Sequence, residues 1–298
     1  MALPAIAPDG RLLVAGLDGC VSSYSRSGRF LWSFWAEGPV VGALAVARDG
    51  TAYVTTAGGH VQALRVDGTE LWRRSIATGA LGAALLSGGR LVVAGVDGAL
   101  YSVAGGTLVW RRRVAERLAT RPIVVGPDRV VVGDAEGTLH ALEGAERHEE
   151  RLGGRFRQDP AVGSGGSIAV VLDDDLVVVD GSLRERFTLR GVLYAGPAGE
   201  GWVAALRDGS LVQLDALGAE RARVPLATAA SASPVGVAGG ALVPLESGEL
   251  ALVSAAAGGP RRAARIGRAP LLSPIVTDGG ASVVAASASG DVAVLSLE

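Results

Sequence analysis

The side chains that could carry chemistry are few, and their spacing points away from most of it. The three histidines, His60, His140 and His148, fall in separate strand-like stretches with no HxxxH or HExxH spacing, so they do not assemble a zinc site. The run Leu172, Asp173, Asp174, Asp175, Leu176 offers carboxylates to Ca²⁺. It lacks the glycine and the distal bidentate glutamate of an EF-hand loop, and reads as a solvated hairpin turn. Serine is plentiful, but no G-x-S-x-G elbow stands between a strand and a helix. The string Gly163 to Gly166 is a turn, since no helix follows to offer a phosphate its N-terminus.

Cys20 is the single cysteine, which excludes an intramolecular disulfide and a thiolate zinc cluster. Leu17 to Cys20 (LDGC) loosely matches a lipidation box. However, Asp9 and Arg11 interrupt the apolar run that a signal peptide needs, and no basic segment precedes it. The chain as it stands is expected to be soluble, without an export signal and without a membrane span, because no apolar run approaches ~20 residues.

Recognition is better represented. Three loop-like stretches, 116–121, 155–159 and 190–194, gather Arg117, Arg121, Arg155, Phe156, Arg157, Arg190 and Tyr194. Arginine with aromatic residues is the mixture enriched at protein interfaces. The carboxylates Asp97, Asp134, Glu136, Asp173 and Asp208 are expected on the same face. A second aromatic group is Phe30, Trp32, Phe34 and Trp35, of which Trp32 reads as structural and Phe34 or Trp35 as exposed.

The elements that must position these residues announce themselves as a repeat. The turn glycine recurs at Gly19, Gly59, Gly98, Gly137, Gly209, Gly248 and Gly290, and the acidic run at 173–175 fills the gap between the fourth and fifth of these. The period is about 35 to 42 residues, in the range of four-stranded propeller blades. A proline ahead of the first strand recurs in register at Pro4, Pro122, Pro160, Pro234 and Pro274. In the third copy the strands are expected at 90–95, 99–103 and 107–110, with Asp97-Gly98 as the tight turn. No window shows sustained helical spacing of apolar residues. The fourth strands are rich in arginine, at Arg73, Arg74, Arg111 to Arg113, Arg184, Arg186, Arg221, Arg223, Arg261 and Arg262. Charge there blocks edge-to-edge aggregation.

Composition fits the same picture. Of 298 residues, 49% are hydrophobic and only 4% aromatic, so the core must be Val, Leu, Ala and Ile. The 44 glycines are about twice the usual share and fall at turns. A net charge of −2 shows neither a nucleic-acid footprint nor a membrane-surface patch in the totals.

The expected fold is therefore all-β, an eight-bladed propeller of four-stranded antiparallel blades whose last blade has three strands, with seven blades as the alternative. One domain spans 1–298, with repeats near 3–38, 39–79, 80–117, 118–155, 156–191, 192–229, 230–269 and 270–298.

The phrases VDGTELW (Val66 to Trp72), DGALYSVAGGTLVW (Asp97 to Trp110), GTLHALEGAE (Gly137 to Glu146) and GHVQALRVDGTELW (Gly59 to Trp72) resemble the repeat of the PQQ-like, or quinoprotein-type, propellers. Trp32, Trp72 and Trp110 take the place of that family's outer-strand tryptophan, which becomes His148 in the fourth copy and Ala222 and Ala263 in the sixth and seventh. The resemblance implies that this ring packs between neighbouring blades. It is closer to the non-catalytic branch typified by the outer-membrane assembly lipoprotein than to the quinone dehydrogenases. Those enzymes build a cavity over the channel from long insertions, and here the loops are short and no vicinal cysteine pair exists.

The expectation is a non-enzymatic scaffold or adaptor with no cofactor and no metal. It would act as a monomer, binding a protein partner through loops on one face, with no nucleic acid. The resemblance implies the cell envelope or periplasm as its location. The alternative is a quinone-dependent dehydrogenase, or a degenerate relative that binds a small ligand over the channel.

Overall fold

Seven of the eight repeats make the turn from their second to their third strand in one way. A glycine amide donates to the carbonyl three residues earlier, at 2.9 to 3.3 Å, as in Gly98 to Gly95 and Gly59 to Thr56. The glycine has φ between +78° and +99°, a region that a Cβ makes costly. Where an aspartate precedes it, the carboxylate accepts the next amide: Asp18 from Cys20 at 3.0 Å, Asp208 from Ser210 at 2.9 Å. The fifth repeat differs. Asp175 already pairs with Leu172, so Asp173-Asp174 is a two-residue turn, with Asp173 at φ +50°.

The computed structural model describes residues 4–76, 79–254, 259–277 and 282–297. Among these the only helical element is one 3-10 turn, Ser164–Gly166. The strands form eight antiparallel sheets in chain order, seven with four strands (A to D) and the last with three, Ile275–Thr277, Ser282–Ala286 and Val292–Ser296. The architecture is the eight-bladed β-propeller. In blade 3 the strands are Ala80–Leu85, Leu91–Gly95, Ala99–Ala104 and Thr107–Arg113. The prolines Pro4, Pro122, Pro160, Pro234 and Pro274 are buried immediately before strands A. There the missing amide removes no ladder hydrogen bond.

Two compact units divide the chain, Met1–Arg151 with blades 1 to 4 and Leu152–Glu298 with blades 5 to 8. Within each unit the core lies between adjacent blades. In the first, Val61 of blade 2 packs with Leu91, Val93 and Tyr101 of blade 3, and Val92 and Leu100 pack with Val130 and Val132 of blade 4. In the second, Val171 and Val178 of blade 5 pack with Trp202 and Val212 of blade 6. Burying one such Val or Leu stabilises by about 1.5–3 kcal/mol.

Strands D carry the docking device. The Trp32 indole donates to the Val66 carbonyl at 2.8 Å and lies over Gly68, where an added Cβ would meet the ring at 2.5 Å. Trp72 covers Gly106 in the same manner, with 3.0 Å left for a Cβ. In each case the ring of one blade sits on the C–D turn of the next. Trp110 instead stacks under the Arg112 guanidinium, 5.0 Å from the ring centroid, and Arg112 reaches the Gly144 carbonyl.

Blade 5 keeps an aromatic ring that sequence reading passed over. Phe187 pairs with Val178, as Trp72 pairs with Ala63, and covers Gly218 at 2.5 Å. His148 of blade 4 is exposed, and Ala222 holds the place in blade 6. Ala263 and the side chains of Arg261 and Arg262 lie outside the described residues.

Candidate functional site: the face of the B–C turns

Each D–A loop is tied by the backbone to the B–C turn of the blade it enters. Ala135 donates to the Arg117 carbonyl at 3.0 Å, Asp173 to Arg155 at 2.8 Å, Arg207 to Gly191 at 2.8 Å and Glu246 to Ala229 at 3.0 Å. Single bridges such as Leu118 with Asp134 and Phe156 with Leu172 continue the pairing. Loops and turns therefore share one face within each unit, held by hydrogen bonds that do not depend on side-chain identity.

The side chain of Arg117 is exposed on this face of the first unit, and those of Arg155, Arg157 and Arg190 are exposed on this face of the second. Arg157 donates to Asp174 at 3.0 Å, and Arg207 pairs with the same carboxylate. The Arg207 hydrogen bond, with Arg157 beside it, holds the Asp174 carboxyl below its ordinary range. Phe156, between Arg155 and Arg157 in the chain, is half-buried. Arg190 ends strand D of blade 5 (Glu185–Arg190) and borders a cleft of about 470 Å³ with Arg207, Asp208 and Arg223.

Two of the expected residues turn inward. Arg121 lies across the inner strands of blades 2 and 3, and Cβ atoms placed at Gly42 and Gly82 would come within 2.8 and 2.7 Å of its side chain. Tyr194 belongs to strand A of blade 6 (Val192–Ala198) and packs against the core it shares with blade 7.

One buried ionisable pair is a group that sequence reading did not assemble. Asp134 and His140 are both buried, and His140 Nε2 lies 2.8 Å from Asp134 Oδ2. The other carboxylate oxygen accepts the amides of Glu136 at 2.9 Å and Thr138 at 2.8 Å. Burial alone would raise the Asp134 carboxyl; the His140 hydrogen bond and the two amides more than offset it and hold it below its ordinary value. An ionised carboxylate only accepts, so Nε2 carries the ring proton and Nδ1 is left to face Arg147 Nη2 at 3.4 Å and Glu149 at 3.6 Å. Arg147 also donates to the Val114 carbonyl of the preceding loop at 2.8 Å and to Glu149 at 2.6 Å. A cleft of about 830 Å³ opens here, bordered by Arg117, Glu136 and Arg151 as well.

The same latch recurs with other residues. In blade 3, Tyr101 donates to Asp97 at 2.6 Å and Arg111 to the same carboxylate at 2.8 Å. In blade 6, Arg223 joins Asp208 and Ser210 at 3.1 and 3.2 Å. Tyr101 and His140 occupy one position, the third after the turn glycine. A polar residue there, within an otherwise apolar buried strand, is the signal that could have found the latch. Among the described residues no group of three or more His, Cys, Asp or Glu side chains could hold a metal ion, and no helix is long and apolar enough to cross a membrane.

Comparison with known proteins adds the family. The model of the family described as outer membrane protein assembly factor BamB matches residues 17–104 and 97–186, together more than half of the chain. The curated outer membrane protein assembly factor BamB of Marinobacter adhaerens is 38% identical over 79 residues, 26% of this chain and 20% of that protein. The matched stretch thus spans about a fifth of that relative. The crystal structure of BamB from Moraxella catarrhalis superposes with a TM-score of 0.81 at 22% identity, covering 100% of this chain and 94% of that one. The computationally designed Ika8 protein gives 0.81 at 15% identity, covering 99% and 95%, and Sqt1 of Saccharomyces cerevisiae gives 0.80 at 10%, also covering 99% and 95%. Structures this distant in sequence speak for the fold alone. The repeat match carries the family: this chain is a PQQ-like repeat propeller and belongs to the family of the outer membrane protein assembly factor BamB.

Proposed function

We propose that the chain is a non-enzymatic, protein-binding scaffold of the bacterial cell envelope, serving outer-membrane protein assembly as its family's name describes. The observation that supports this reading most is the family match over 17–186, which covers the loops bearing Arg117, Arg155, Phe156 and Arg157. Arg155, Phe156 and Arg157, with Arg190, form a contact surface for a partner protein on the second unit, and Arg117 belongs to that of the first. Arg121 and Tyr194 brace the inner strands behind them. Short loops tied to the B–C turns give a pre-organised surface, which lowers the ordering cost of binding. Exposed arginines beside half-buried aromatic side chains supply the residue types from which interface hot spots are drawn.

Site-specific photocross-linking in the native host tests this. Photoreactive residues at Arg117, Arg155 and Arg190 are expected to give one discrete protein adduct, and those at Asp67 and Asp128, in turns of the opposite face, none. Adducts of equal yield from both faces would sink the adaptor reading. Calcium-dependent quinone binding with turnover of an alcohol would move the assignment to a dehydrogenase.

A further inference from the structure

The third residue after the turn glycine does more than close a latch, because in two blades it also holds the incoming D–A loop. In blade 2 that residue is Gln62. Its Oε1 accepts the Glu37 amide of the loop at 3.0 Å, and its side-chain amide donates to Glu70 of strand D at 2.8 Å. In blade 4 it is His140, and the tie runs through strand D: Arg147 Nη2 lies 3.4 Å from His140 Nδ1 and donates to the Val114 carbonyl at 2.8 Å. Val114 is buried and opens the loop that presents Glu116 and Arg117 to solvent. Gln62 cannot gain a proton, whereas imidazole is the side chain whose ordinary titration falls between about pH 5 and 8.

We infer that blade 4 carries a proton-operated release for its incoming loop, in which protonation of His140 turns Arg147 away from the Val114 carbonyl and frees residues 114–117. The neutral ring donates from Nε2 to Asp134 and offers Nδ1 to Arg147 as an acceptor. A proton taken up from solvent makes both nitrogens donors. Nε2 keeps Asp134, but Nδ1–H now faces a guanidinium, which has no acceptor to give. The acceptor in reach is Glu149, opposite His140 in the strand register and 3.6 Å away, and Arg147 already uses it at 2.6 Å. Glu149 passes to the ring, and two like charges push Arg147 outward, where it is already exposed. The other charges bordering this cleft are Glu136 on the B–C turn, Arg151 on strand D, and Glu116 and Arg117 on the loop itself. Arg113, from strand D of blade 3, bonds the Ala115 carbonyl at 3.2 Å. None of these five reaches the ring with a hydrogen bond among the described residues. The release is a property of the free chain and does not need the adaptor reading. Where that reading holds, pH governs how firmly Arg117 is presented.

Amide hydrogen exchange of the full chain at about pH 7.5 and about pH 5, expressed as protection factors so that the intrinsic pH dependence drops out, tests it. The reporters are Ala115, which donates to the Gly98 carbonyl, and Ala135, which donates to that of Arg117. In wild type both should lose protection about tenfold on acidification, in step with protonation of the His140 ring followed by its NMR signals. Ala57, which makes the corresponding bond to Pro39 in blade 2, should keep its protection. His140→Gln installs the blade 2 residue and should stay protected at both pH values. Arg147→Ala removes the tie and should be unprotected at both. Melting curves at the higher pH check folding, and if His140→Gln does not fold, wild type and Arg147→Ala carry the test. Equal wild-type protection at the two pH values overturns the inference, as does a His140→Gln chain that loses it like wild type or an Arg147→Ala chain that keeps it. Cross-linked adducts of equal yield from both faces, which sink the adaptor reading, would leave the exchange result standing.

Discussion

Asp134 is a buried residue whose charge state the fold controls. Its carboxylate takes two amides and the His140 ring, and together these outweigh the burial that alone would neutralise it. Its folded pKa therefore lies below the ordinary 3.8. The sign follows: the stabilisation is complete above the unfolded value and is lost as pH falls through the lowered folded one. Asp134→Asn keeps the shape but puts an amide NH₂ where one oxygen had accepted. We expect it to cost about 1–3 kcal/mol at neutral pH, with the deficit shrinking towards about pH 3. Urea midpoints at the two pH values measure this, and a gap that does not narrow in acid would mean that the carboxylate charge is not what stabilises the turn.

At the scale of the blade, the aromatic side chain of one strand D seated on a turn glycine of the next blade makes a prediction of its own. Gly28 and Gly68 both have positive φ, +79° and +86°, but a Cβ at Gly28 meets open space and one at Gly68 meets Trp32 at 2.5 Å. Gly28→Ala should cost about 1 kcal/mol from backbone strain alone. Gly68→Ala should cost about 3 kcal/mol or more, since the ring must also shift. Equal losses in urea would show that Trp32 does not dock there.

Half of this device was legible in the sequence. The glycines, the prolines and the three tryptophans repeat in register, and turn chemistry leaves a residue-level mark that composition does not erode. Phe187 escaped because it stands in the tryptophan's place as a different residue, in the one repeat whose turn carries 173–175 instead of the glycine. Arg121 escaped for a different reason. Its inward course depends on Gly42 and Gly82, which lie far from it in the chain. The Asp134–His140 latch joins a turn to a strand through buried side chains, a pairing that spacing alone does not reveal.

Over the whole molecule, every four-stranded sheet ends in a strand D whose outer edge has no partner sheet among the described residues. The exposed arginines on these strands are the molecule's defence against edge pairing. Replacing Arg74, Arg113 and Arg186 together by valine touches no buried contact, so melting should shift little, by about 0.5 kcal/mol per site at most. The triple variant should nevertheless form aggregates, read by light scattering. A variant that remains monodisperse would assign those arginines to another task.

The aromatic seat also bears on how such a chain grows. Blade 2 brings both halves of the joint: Gly68 to receive the ring before it, and Trp72 to offer one onward. A tandem duplication of that blade would create a copy already fitted to both neighbours, so unequal recombination there yields a packable product at once. Blade 4 offers His148 and blade 6 Ala222 at that place, so a duplicate of either would rest on strand packing alone, as blade 6 does against blade 7.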